Sequence, residues 1–224
     1  MNHIPSAAAP ERTTTGVNLA AGPSSRFSRQ TAIAVVVCWL LVVFDGYDLI
    51  VYGTVQSSLI NDTGWGLTKA TAGTVGSMAF LGMMLGAIFA GRMSDTFGRR
   101  RTILGCAIVF SVFTILCAFS PNAPVFGGLR LLAGIGLGGL VPSANALVAE
   151  LVPAKWRSTI ATLMMSGVPI GGSIAALAGI PLIPAFGWPV MFLIAVLALL
   201  VVIPLGLRYL PETLSAVRPG DQAR

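Results

Sequence analysis

Charge is what this chain has least of. Only 10% of its 224 residues are Asp, Glu, Lys or Arg, where a soluble domain carries about a quarter. Histidine is almost absent as well: His3, in the N-terminal tail, is the only one, and nothing around it has metal-ligand spacing. No Ser/Lys or Cys/His pattern supplies a nucleophile with its base, so the sequence does not read as an enzyme, and no cofactor or metal site is expected. The three cysteines, Cys38, Cys106 and Cys117, are odd in number and lie in apolar runs, which excludes a disulfide framework and leaves them as packing residues. Absent too is a compact hydrophobic core followed by small cleavage-site residues near the start, so the first apolar run is expected to stay in the mature chain.

What is present is hydrophobic length. Apolar residues make up 55% of the chain and mean hydropathy is +0.84. Runs of about 20 residues, enough to cross a bilayer as helix, occur at 32–53, 72–90, 102–119, 125–149, 160–183 and 190–210. The expected fold is an all-α integral membrane protein with six transmembrane helices at 31–210. Residues 1–30, rich in Ala, Ser, Thr and Pro, read as a disordered cytoplasmic tail. Residues 211–224 read as a second cytoplasmic tail or the start of a linker.

The net charge of +6 does not point to nucleic acid, because the basic residues sort by loop. Arg12, Arg26 and Arg29 precede the first span; Arg92, Arg99, Arg100 and Arg101 separate the second from the third; Lys155 and Arg157 follow the fourth; Arg208, Arg218 and Arg224 close the chain. The opposite side has Lys69 and, at the mouth of span four, Arg130. By the positive-inside rule both termini are cytoplasmic, as an even number of spans requires.

Against this background two acids stand out. Asp45 and Asp48 interrupt AIAVVVCWLLVVFDGYDLIVYG, where each costs about 2.5–3.5 kcal/mol at a helix centre unless it faces a wet cavity or a partner. A spacing of three puts both on one helical face, and Gly46 between them admits a second backbone or a ligand. Span four reads RLLAGIGLGGLVPSANALVAE, with Arg130, then Gly134, Gly136, Gly138, Gly139 and Pro142, and Glu150 at its end. The glycines suit close helix packing, as do Gly82 and Gly86 in span two and Gly167 and Gly171 in span five. They do not form a dinucleotide loop, which needs a strand before it. Pro169, in GVPIGG, is expected to bend span five.

Between spans two and three stands GRMSDTFGRRRTI. Gly91, Ser94, Asp95, Phe97, Gly98, Arg99, Arg100 and Arg101 resemble the signature loop of the major facilitator superfamily; Thr96 replaces its usual basic residue. One carboxylate among several guanidiniums suits a latch whose ion pairs form in one conformation and break in another. The Arg and glycines of span four resemble that family's fourth-helix pattern, and DGYD with Asp95, Arg130 and Glu150 resembles its aromatic acid/proton symporter branch, which imports benzoate-type acids. The resemblance implies the N-terminal six-helix half of a major facilitator fold, a 3+3 inverted repeat, in a bacterial inner membrane. It implies substrate and proton-coupling roles for Asp45, Asp48, Arg130 and Glu150, and a gating role for Gly91, Asp95, Gly98, Arg99, Arg100 and Arg101.

On that reading Arg130 holds a small aromatic carboxylate and Asp45 or Asp48 takes the driving proton. Trp39, Phe44, Tyr47 and Tyr52 are candidate ring contacts. Glu150 is read either with the basic loop, as a latch, or as a solvated helix end. The partners expected are the aromatic acid, protons, the bilayer, and a separate second half or a second copy in a homodimer; the alternatives are a truncated, non-transporting fragment or a carrier of another organic acid or a sugar. The loop after span five, IPAFGWP, has none of the charge of GRMSDTFGRRRTI, so the inverted repeat is not expected to be visible as sequence identity.

Overall fold

The computed structural model describes residues 28–211, so the expectations for both tails lie outside the described residues. Six helices follow one another: α1 (Arg29–Asn61), α2 (Lys69–Phe97), α3 (Arg99–Cys117), α4 (Ala123–Leu151), α5 (Arg157–Phe186) and α6 (Pro189–Tyr209). A single 3₁₀ turn, Ala154–Trp156, leads into α5, and α6 widens to a π-helical stretch at Ala198–Val202. All six are long and apolar enough to cross a bilayer.

Local chemistry sets the ends. The Ser28 hydroxyl accepts from the Thr31 amide at the start of α1, Thr68 and Thr71 cap each other's amides at the start of α2, and the Asn122 side chain accepts from the Val125 amide at α4. Helix α5 continues unbroken through Pro169, Pro181 and Pro184.

The stretch 91–103, expected as a loop, is almost entirely helical. Helix α2 extends to Phe97, α3 begins at Arg99, and Gly98 alone joins them, at φ +87°. Hydropathy falls where charge begins, but an α-helix satisfies its own backbone groups and runs on into water. Here it stops where a glycine tolerant of positive φ turns the chain. Helices α5 and α6 meet in the same way at Gly187, at φ +79°. Phe97–Gly98 and Phe186–Gly187 are equivalent joints, and each glycine amide is bonded four residues back, to Ser94 and Ile183. Gly82 and Gly171 stand equally far before them (82 to 98, 171 to 187). The two joints thus share their Phe–Gly pair and the glycine before it, although the segments around them differ in charge.

Packing repeats the same symmetry. Helix α2 lies mainly on α4 and α1 mainly on α5, each along a glycine seam. A side chain at Gly82 would strike the Leu131 carbonyl, at Gly138 the Met83 carbonyl, and at Gly171 the Val43 carbonyl. Without a hydrophobic drive between helices in lipid, such backbone contact is what holds a bundle together. The cysteines are all free and buried, as their place in apolar runs suggests. Helices α2 and α5 leave wide apolar faces uncovered, with Phe80, Met84 and Ile88 on one and Ile170, Ile174 and Leu177 on the other.

Replacing Gly82, Gly138 or Gly171 by Val should destabilise the bundle by about 1–3 kcal/mol or more. Gly105→Ala, where an added Cβ meets nothing within 4 Å, should be neutral or mildly stabilising. Heating in the presence of a thiol-reactive dye reads this directly, because Cys38, Cys106 and Cys117 become accessible only as the bundle opens.

Candidate functional site

Arg130 is the largest fully buried side chain among the described residues, and what it meets is Asp48. Its two terminal nitrogens donate to the two carboxylate oxygens, Nη1 to Oδ1 at 2.8 Å and Nη2 to Oδ2 at 2.6 Å; Nη2 also reaches the Asp48 carbonyl at 3.3 Å. This is a bidentate fork, the strongest geometry an Arg–carboxylate pair adopts. The side chains are 2% and 1% exposed. Thr114 of α3 donates to Oδ1 at 3.4 Å, and the guanidinium carbon lies 5.5 Å from the centre of the Phe192 ring of α6. The pair thus draws on α1, α3, α4 and α6.

The glycines bring these helices close enough. Gly136 sits where a Cβ would press on the α3 backbone at Cys106 and Phe110, and Gly46, between the two aspartates, lies against the Val168 backbone of α5. The close approach expected at Gly46 is therefore to a backbone. Asp45, one turn before Asp48, is 2% exposed, and its Oδ1 has no hydrogen-bond partner; neither does the buried Nε of Arg130. Both atoms lie beside the ion pair.

A cavity of about 240 Å³ opens on the pair between α1, α2 and α4, with Asp48, Tyr52, Gln56, Gly76, Phe80 and Arg130 among its walls. Of the four aromatic residues expected as ring contacts, only Tyr52 lines it. Trp39 donates to the Ser166 hydroxyl at 3.3 Å, Tyr47 donates to the Met191 carbonyl at 2.9 Å, and Phe44 packs against the core.

The structure divides the expected site residues into two groups at opposite ends. Glu150 does not join Asp48 and Arg130. Twenty residues of helix, about 30 Å, separate it from Arg130, and it accepts from Arg99 Nε at 2.6 Å. The structure thus brings it together with the basic segment, as in the latch arrangement, and not with the Asp48–Arg130 pair. There Arg100 also donates to the Leu207 carbonyl, so the start of α3 is tied to the ends of α4 and α6. Basic groups beside helix C-termini are favourable placements. The Arg99 and Glu150 side chains are 25% and 35% exposed, and a pair so hydrated is worth about 0–1 kcal/mol, which lets it open cheaply. Asp95 is exposed on the last turn of α2, and Gly91 has open space where a Cβ would stand. Thr114 and Phe192 were missed from sequence; Thr114 had a signal, a hydroxyl in the apolar run SVFTILC.

Six apolar helices in two inverted triplets, closed around one buried ion pair beside a cavity, have the architecture of half a secondary transporter. Residues 38–223 match the Major Facilitator Superfamily, and the chain belongs to that family. It is 55% identical over 182 residues to the gentisate transporter of Corynebacterium glutamicum, covering 80% of this chain and 40% of that protein. It is 41% identical over 185 residues to the benzoate transport protein of Acinetobacter baylyi (80% and 39%), and 38% identical over 186 residues to the 4-hydroxybenzoate transporter PcaK of the same species (83% and 40%). The chain spans about 40% of the length of these relatives. Among solved structures, the proton:xylose symporter XylE bound to 6-bromo-6-deoxy-D-glucose superposes with a TM-score of 0.73 at 22% identity, over 82% of this chain and 45% of that one, which establishes the shared fold. The chain is a six-helix half of this fold.

Asp48→Leu or Arg130→Met alone should destabilise the bundle by about 3–5 kcal/mol, since each leaves a buried charge unpaired, whereas the double variant should recover most of the loss. Glu150→Gln should cost less than about 1 kcal/mol. Unfolding midpoints in detergent, combined as a double-mutant cycle, measure the difference.

Proposed function

We propose that this chain forms the N-terminal half of a proton-coupled carrier of small aromatic carboxylates, working by alternating access with a second six-helix half in a bacterial inner membrane. The observation that carries the proposal is the forked Arg130–Asp48 pair at the wall of a cavity inside the membrane span. Its relatives named for gentisate, benzoate and 4-hydroxybenzoate supply the substrate class.

The chemistry follows from charge balance. At rest Arg130 is neutralised by Asp48. A carboxylate competing for the guanidinium would leave Asp48 as a bare buried anion unless a proton arrives with it. Protonated Asp48 gives up its hold on the fork, and the substrate carboxylate takes its place in the same bidentate geometry. The site is neutral before and after, so the loaded form reorients without moving net charge through the closed state. This assigns the proton to Asp48, with Asp45 as the buried carboxylate one turn away. Arg99 and Glu150, with Gly91, Asp95, Gly98, Arg100 and Arg101, form the segment that makes and breaks contacts as the cavity changes sides. The uncovered faces of α2 and α5 suit the second half, with a second copy of this chain as the other candidate. The basic ends at Arg99–Arg101, Lys155 and Arg208 favour a cytoplasmic placement of both termini.

Uptake of labelled gentisate, benzoate and 4-hydroxybenzoate into proteoliposomes under an inward proton gradient tests the proposal, with the chain alone and with a matched second half. Gradient-driven accumulation should occur in at least one format and be lost in Asp48→Asn. Absence of uptake of all three by correctly inserted protein in both formats would reject it.

A further inference from the structure

Along α1 the cavity wall changes character one turn at a time. Asp48 stands at the ion pair, Tyr52 one turn on, and Gln56 a turn beyond that, a rise of about 6 Å per step. Tyr52 is held flat on α2 because Gly76 has no side chain: a Cβ there would meet Tyr52 Cε1 at 2.5 Å, and the phenol donates to the Ala72 carbonyl. Its polar end is thus engaged, and the cavity receives its ring. Gln56 has no hydrogen-bond partner among the described residues, and it also lines the adjoining, more open cavity that reaches Asn61 and Lys69. Ser77, on the facing side of α2, donates to the Thr74 carbonyl at 2.7 Å, leaving its oxygen able to accept.

We propose that Gln56 and Ser77 read ring hydroxyls of the substrate, Gln56 at the edge remote from its carboxylate and Ser77 along the flank of the ring, while Tyr52, seated on Gly76, supports the ring. The inference rests on the aromatic-acid reading above. With the carboxylate on Arg130, a benzoate ring lies at the level of Tyr52 and of Ser77, one residue past Gly76 on α2, and a hydroxyl on its far edge reaches the level of Gln56. A phenol is both donor and acceptor. The Ser77 oxygen or the Gln56 carbonyl accepts from it, and the Gln56 amide donates to it. Benzoate, lacking the hydroxyl, forgoes these bonds, so the cavity favours hydroxylated acids over the parent acid.

The test is equilibrium binding of benzoate, 4-hydroxybenzoate and gentisate to the full chain in nanodiscs, comparing wild type with Gln56→Leu, Ser77→Ala and Gly76→Ala. The wild type should prefer the hydroxylated acids, and Gln56→Leu should reduce that preference about three- to tenfold, the equivalent of one hydrogen bond in a partly hydrated site. Ser77→Ala should reduce it less, because one hydroxyl acceptor is lost and the amide remains. Gly76→Ala, which displaces the Tyr52 ring, should weaken all three acids without changing their ratio. Equal wild-type affinity for benzoate and its hydroxylated forms, or an equal loss for all three in Gln56→Leu, would overturn the inference while leaving the aromatic-acid reading intact. Binding of none of the three by folded wild type, alone and with a matched second half, would overturn both.

Discussion

A guanidinium and a carboxylate buried together inside an apolar bundle fix the geometry on which everything else here depends. Neither Arg130 nor Asp48 is tolerable alone at that depth, and together they are tolerable only if the fork closes. Closing it sets the register of α4 against α1, and through Thr114 and Phe192 it involves α3 and α6. The glycine seams serve the same end, since a helix carrying bulkier residues at 46, 82, 136 or 138 would stand too far off for the side chains to meet.

The interaction that holds the site also limits it. A pair that is neutral and fully formed does not bind an anion unless something first removes one of its charges. A proton is the smallest agent able to do so, and it leaves the fold in place. The same logic separates the two ends of the molecule. The inner pair is dry and strong, and so suited to recognition. The Arg99–Glu150 pair is wet and weak, and so suited to contacts that are made and broken in each cycle. Two ion pairs of similar length differ in strength because one is nearly buried and the other well hydrated.

Much of this was legible in the sequence because charge inside a membrane is scarce. Asp45, Asp48 and Arg130 each stand out in an otherwise apolar run, and the six spans follow from hydropathy alone. The partner of Arg130 was not legible: Asp48 lies 82 positions away, and only the packing of α1 on α4 brings them together. Spacing left Glu150 open between the buried pair and the basic loop. It shares a helix with Arg130 but stands at the far end, and the helix keeps the two apart. The segment 91–98 was read as loop because its charges end the hydrophobic pattern, whereas its backbone stays helical until Gly98. The inverted repeat, implied by the family resemblance, was not visible as sequence identity because charges were compared across the two triplets; what their joints share is a glycine with positive φ after a phenylalanine, at Gly98 and Gly187. Tyr52 could not be chosen over Trp39, Phe44 and Tyr47 without knowing which helix face meets the cavity.

The proposed exchange, in which a carboxylate displaces Asp48 from Arg130 as Asp48 takes up a proton, can be measured without any transport step. Calorimetric titration of gentisate or 4-hydroxybenzoate into the purified protein, repeated in buffers of differing ionisation enthalpy, counts the protons taken up per acid bound. Close to one proton per acid is expected for the wild type below the point where the linkage saturates, falling to near zero in Asp48→Asn. Binding of the acid with no linked proton uptake, or with the same uptake in Asp48→Asn, would contradict the exchange.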